Sequence, residues 1–326
     1  MSQWWFASEN FTNGFSELKS PAKADSENRY FRDAQKLSIT AEKTWIKDNM
    51  DQLFNKDNDV IIASKYQIGS RRIVDKIHYL KKNYPKKMAI GPLFHPNIYA
   101  TNDFKESSEA IILQIRVYDE DGLSNKEIEA IQHTLSGVGT ASSIAFPALA
   151  PIAGLATGIG NSLVSLVDSL NNHDKIIDGT IRLDINKPDN QGYDHLQPGF
   201  LICFGDDING KELYLGEDKQ IYSGNDERRH YEGSSYIVIR IRRAFLESPD
   251  YEINEHAATL LTEIQNGKNG KSTKAISFVK ETIDSYTKFK KLKRVKELKL
   301  KDTLTGDEQE LLDELISDNT ISDFIN

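Results

Sequence analysis

Seven histidines, one cysteine and two acidic loops are the residues of this sequence best suited to chemistry, and their spacing removes most of that chemistry. The histidines are His78, His95, His133, His173, His195, His230 and His256, and no two stand two, three or four residues apart. A local zinc site needs such a pair, because only those spacings bring two imidazoles onto one ion from a single helix or strand. Cys203 stands between Ile202 and Phe204, in apolar surroundings that raise a thiol's pKa and disfavour the nucleophilic thiolate. There is no G-x-S-x-G elbow, no P-loop and no G-x-G-x-x-G after a strand. These observations lead to the expectation of a non-enzymatic protein with no cofactor and no small-molecule substrate.

The acidic loops follow expected strands. Asp119-Glu120-Asp121-Gly122 and Asp206-Asp207 set Asp119, Asp121, Asp206 and Asp207 where the loops of a β-sandwich can hold Ca²⁺, which takes roughly six to eight oxygen ligands. Solvated turns are the plain reading of both loops. The run Arg116-Val117-Tyr118-Asp119-Glu120-Asp121 resembles the aspartate-bearing strand end of C2 domains. That resemblance implies a sandwich that binds calcium and lipid. It covers fewer than ten residues, and the uncharged segment directly after it is foreign to that family.

Charge is distributed in blocks. The formal net charge is −8, which argues against a nucleic-acid binder, since affinity for phosphate needs a cationic surface. Residues 271–301 hold eleven Lys or Arg against three Asp or Glu, and 302–326 hold eight Asp or Glu with no Lys or Arg. The basic run Lys288, Lys290, Lys291, Lys293, Arg294 and Lys296 suits an anionic membrane. Pairing with the acidic segment beside it is the plainer expectation. Thr305 and Glu308 have the spacing of a capping box, so a helix is expected to start there.

The elements that must position these groups differ along the chain. Residues 1–87 carry Ile46, Met50, Leu53 and Phe54, then Ile73, Ile77, Leu80 and Tyr84, at helical spacing. Gly69-Ser70 and Pro85 mark the start and stop of the second of these expected helices. Across 88–250 the period becomes two: Leu113, Ile115 and Val117; Ile181, Leu183 and Ile185; Ile237, Ile239 and Ile241. Alternation of this kind marks antiparallel strands with one wet face. Gly199–Phe204 is apolar on both faces and reads as a central strand, while Leu213–Leu215 and Gln220–Tyr222 read as a hairpin around Gly216-Glu217-Asp218-Lys219. Residues 251–326 return to helix.

Between the first and second of these strands, Ala130–Val167 runs for 38 residues without Asp, Glu, Lys or Arg. Pro147 and Pro151 mark a corner, because neither fits a helix interior. Small residues recur every fourth position on each side: Gly137, Ala141 and Ala145, then Ala150, Gly154 and Gly158. In helices these line one face and let two backbones approach closely. The segment therefore reads as a helical hairpin, at about 124–171, inserted in the sandwich. His133 lies within it, where packing is its plain role and a pH switch the sharper one.

The expected fold is α+β: an antiparallel β-sandwich with an inserted Gly/Ala-rich helical hairpin, flanked by N- and C-terminal helical segments. The absence of a leading basic-then-apolar signal and of any long apolar run leads to the expectation of a cytoplasmic protein. Its function is expected to lie in protein or membrane contacts. A conditional, pore-forming-type effector would use the hairpin as its inserting part. A rigid interaction or self-assembly module would keep the hairpin as core, and a calcium- and lipid-binding C2-like sandwich is a further alternative.

Overall fold

The computed structural model describes residues 2–21, 31–47, 58–70, 74–84, 87–91, 93, 96–104, 110–119, 174–185, 194–208, 211–224, 229–245 and 288–325. Within these, most of the chain is antiparallel β-sheet, with few helices. The hairpin positions Gly137, Ala141, Ala145, Pro147, Pro151, Gly154 and Gly158 lie outside the described residues, as does Asp121.

A central sheet runs β1 (Gln3–Ala7), β10 (Gly199–Phe204), β14 (Tyr236–Arg242) and β3 (Leu37–Ile46). The far edge of β3 is shared by β6 (Met88–Ile90) and β7 (Asn97–Thr101). A second sheet has the order β5 (Val74–Tyr84), β4 (Asn58–Ile68), β8 (Ala110–Asp119) and β9 (Asp174–Asp184). A third, smaller sheet has the order β13 (Arg229–His230), β12 (Ile221–Ser223), β11 (Leu213–Gly216) and β2 (Phe15–Glu17).

Alternate residues of the central strands feed two separate cores. Leu201 and Cys203 of β10, with Ile237, Ile239 and Ile241 of β14, pack against Ile62 of β4, Leu113 and Ile115 of β8 and Ile181 of β9. Phe200, Ile202 and Phe204 of β10, with Val238 of β14, pack against Leu213, Leu215 and Ile221 of the small sheet. The central sheet is thus the middle of three layers, which is why every residue of β10 is buried. Its fully apolar sequence follows from that position, as fully buried strands have no wet face to supply with polar residues.

A β-bulge adapts β3 to this double burial. Its register with β14 shifts between Val238 and Ile239, so that Ala41 and Lys43 face consecutive residues of the partner strand. Before the bulge Leu37, Ile39 and Ala41 contribute to the larger core; after it Ile46 does so, and Trp45 joins the core under the small sheet. One extra residue reverses the facing of everything beyond it.

The expected N-terminal helices are not what the structure holds. Residues 74–84, read as a helix from Ile73, Ile77, Leu80 and Tyr84, form strand β5 along β4. Ile46 ends β3 rather than opening a helix, and Met50, Leu53 and Phe54 lie outside the described residues. Gly69, at φ +51, belongs to the turn that leaves β4, with its N–H donating to the Ala110 carbonyl, so it marks no helix start. Trp4, Trp5 and Phe6 form part of β1; Trp4 and Phe6 face the larger core and Trp5 the smaller.

Where β9 crosses β10, the backbones come unusually close. A Cβ on Gly205 would sit 2.5 Å from the Ile176 carbonyl oxygen. Because that obstacle is backbone, Gly205→Ala is expected to destabilise the protein by about 1–3 kcal/mol. Thermal unfolding checks this, and an unchanged midpoint would show that the strands can separate at no cost.

Candidate functional site: the C-terminal helical pair

Two helices close the chain: α1 (residues 288–299) and α2 (Gly306–Ile316). The start of α2 is set by chemistry. The Thr305 hydroxyl accepts the Glu308 backbone N–H at 3.2 Å, and the Glu308 carboxylate accepts the Thr305 N–H at 3.0 Å. This reciprocal box satisfies two donors that a helix start would leave bare, and Asp307 and Glu308 in the first turn complement the helix dipole. Hydrogen bonds from Lys301 and from the Thr305 backbone hold the Glu308 carboxyl below its ordinary value. Replacing Thr305 with alanine is expected to cost about 1 kcal/mol, read as a lower unfolding midpoint. Thr305→Ser should restore it.

Apolar residues zip the two helices together. Val295 and Leu298 of α1 pack on Leu311, Leu312 and Leu315 of α2 and on Ile321, with Ala34 of the body joining the cluster. The ion pairs fix the direction. Lys291, early in α1, meets Asp318 just past α2 at 2.7 Å, and Lys301, past α1, meets Glu308 at the start of α2. The helices are therefore antiparallel. Burial raises Asp318, but hydrogen bonds from Lys291 and Thr320 outweigh it and leave the carboxyl below its ordinary value.

Of the remaining carboxylates of α2, Asp313 accepts from Gln309 along the helix, and the other three turn toward the body. Lys36 donates to Glu310 at 2.9 Å and Glu314 at 2.6 Å, bonds that raise its pKa, and Gln35 donates to Asp307 at 2.9 Å. From α1, Arg294 reaches back to Asp103, after β7, at 3.0 Å. The acidic segment is thus committed partly to the ends of α1 and partly to the body.

Its charge does not cover the outer face of α1. Of the basic run, Lys291 is buried against Asp318 and Arg294 is half-buried against Asp103, whereas Lys288, Lys290, Lys293 and Lys296 are exposed. Lys293 lies 3.9 Å from Glu297, a pair open to solvent on both sides. Two large apolar residues accompany the lysines: Phe289 is 61% exposed and Leu300 is 74% exposed. Phe289, Lys293, Lys296 and Leu300 succeed one another at spacings of three and four, the spacing that shares one helix face. The result is a cationic stripe with an apolar group at each end. Neither Phe289 nor Leu300 stands out in the sequence until the helix is known to bury its other side, although their spacing is readable there.

The other sequence candidates are scattered. Asp119 ends β8 and is buried rather than solvated. Asp206 and Asp207 form the turn after β10, where the Asp206 N–H donates to the Ser234 hydroxyl and Gln3 donates to Asp207 at 2.9 Å. Among the described residues, no three His, Cys, Asp or Glu side chains come together in a way that could hold a metal ion. Cys203 lies in the larger core, and burial pushes its thiol far above its ordinary value. Among the described residues no helix is long and apolar enough to cross a membrane.

No protein-family model matches this chain, and no curated protein does. Among solved structures, a C2 domain of plant Extended Synaptotagmin 1 aligns at 9% identity and a TM-score of 0.24, over 66% of this chain and 98% of that one. A likeness at that level carries no argument about this chain.

Proposed function

We propose that this protein is a non-enzymatic binding protein that docks on anionic membrane surfaces through the outer face of α1. The observation that carries the reading is the exposure of Lys288, Lys293 and Lys296, the last two on one helix face with Phe289 and Leu300, although an acidic helix packs directly behind them. A helix that buries one side and offers lysines with Phe289 and Leu300 on the other has the composition of an interfacial element. Lysine heads meet lipid phosphates while the aromatic and aliphatic groups enter the headgroup region. The uncharged stretch 130–167 fits this reading through its sequence: free of charge and lined with small residues, it suits insertion once the basic face has reached a bilayer. In that form the protein is a conditional membrane-active effector.

Co-sedimentation of the full chain with vesicles of phosphatidylserine and phosphatidylcholine tests the docking. Binding is expected to require the anionic lipid and to weaken with salt. Absence of binding to anionic vesicles at low salt would sink the reading and leave an acidic protein surface as the partner of this face. Dye release from the same vesicles tests insertion separately.

A further inference from the structure

We infer that His230 is an acid-sensitive latch between the central sheet and the small sheet: the neutral imidazole holds the two layers together and the imidazolium releases them. The inference is independent of the membrane reading. The Tyr236 hydroxyl, on β14, is fully buried between the two layers. It accepts the backbone N–H of Ile221, on β12, at 3.1 Å, and lies 3.2 Å from His230 Nε2, on β13. A buried hydroxyl also needs an acceptor for its own proton. Ile221 N–H is a donor, so among the described residues His230 Nε2 is the group placed to accept. The Tyr236 hydroxyl therefore donates to Nε2, and the ring proton sits on Nδ1. One hydroxyl ties β12 and β13, neighbouring strands of the small sheet, to the central sheet.

Protonation reverses the bond. An imidazolium carries N–H on both nitrogens, so Nε2 would face the Tyr236 hydroxyl as a second donor, with that hydroxyl's own proton left without an acceptor. The groups around His230 do little to offset this. From β3, the Trp45 ring packs at 4.3 Å and Lys43 adds positive charge. From β12, the Tyr222 ring stands at 6.1 Å. The carboxylates that favour the charged form are engaged elsewhere: Asp218, in the β11–β12 turn, accepts from Tyr222 at 2.9 Å, and Glu232 pairs with Lys87 at 3.4 Å. Burial accordingly holds the imidazole below its ordinary value, against the pull of Glu232 and Asp218.

The sign follows from linkage. A histidine depressed in the folded state takes its proton first in the open state, so closure is fully favoured above the ordinary histidine value and weakens as pH falls below it. Carboxylates held low, such as Glu308 and Asp318, lose their contribution only at more acid pH. The latch is read by amide exchange at Ile221 in the full chain, corrected for the intrinsic pH dependence of exchange, beside the imidazole resonance of His230. Protection at Ile221 is expected to fall on the order of tenfold per pH unit between the ordinary and folded histidine values. In His230→Gln the side-chain carbonyl can still accept from Tyr236 but does not titrate, and protection should stay level from about pH 7 to 5. A decline persisting in that variant overturns the latch. Should the variant not fold, the wild-type titration decides: a His230 that titrates at or above the ordinary value, or an Ile221 indifferent to its titration, overturns it equally.

Discussion

Truncation of Leu201 and of Ile202 to alanine, each alone, is expected to destabilise the protein by about 2–5 kcal/mol. The two are neighbours on β10 and point to opposite faces, Leu201 into the core shared with β4, β8 and β9 and Ile202 into the core under the small sheet. In a sandwich of two layers one of them would face water, and its loss would fall within the small range of surface substitutions. In a stack of three both leave cavities, since both are buried to about the same degree. Chemical denaturation of the two variants decides between these architectures. A large loss from one and none from the other would remove the small sheet as a packed layer.

Replacing Lys288, Lys293 and Lys296 together with glutamine is expected to weaken binding to anionic vesicles more than a hundredfold. Each lysine near an anionic surface contributes about 1 kcal/mol, and three sum to about 3 kcal/mol, where a factor of ten is roughly 1.4 kcal/mol. The three side chains are exposed and stand outside the apolar seam of the helical pair, so the fold should be unaffected. The control is Lys291→Gln, which breaks the buried pair with Asp318. It should lower stability while leaving the outer stripe intact. Equal loss of vesicle binding in both variants would mean that the integrity of the pair matters and the lysine face does not.

The strands of the second half are legible in the sequence because each keeps a wet or an apolar face along its length. Leu113, Ile115 and Val117 alternate cleanly, and Gly199–Phe204 shows its double burial through the absence of polar residues. Strand β5 reads as a helix for a physical reason. The register between β4 and β5 shifts twice, and Tyr79 and Ile77 face consecutive residues of the partner strand with His78 between them. Crossing that extra residue sets Ile77 and Leu80, three apart, opposite Ala63 and Ile61, two apart on β4, so a helical spacing of three falls on one face of a strand. The capping box at Thr305 is readable because it is local. The latch at His230 is not, since its partners Ile221, Tyr236 and Trp45 come from three different strands.

The order of the central sheet bears on how the chain is made. β1 and β3 lie on opposite sides of β10 and β14, which occupy residues 199–204 and 236–242. A ribosome delivers the first two strands long before the two that join them. β1 lacks its partner in the central sheet until residues 199–204 have emerged, and one edge of β3 stays open until residues 236–242 follow, although β6 and β7 can already cover the other. Such late closure makes for slow folding and leaves strand edges open to wrong partners. The protein should therefore depend on chaperones during synthesis, and its yield should respond to translation speed and growth temperature more than its final stability would suggest.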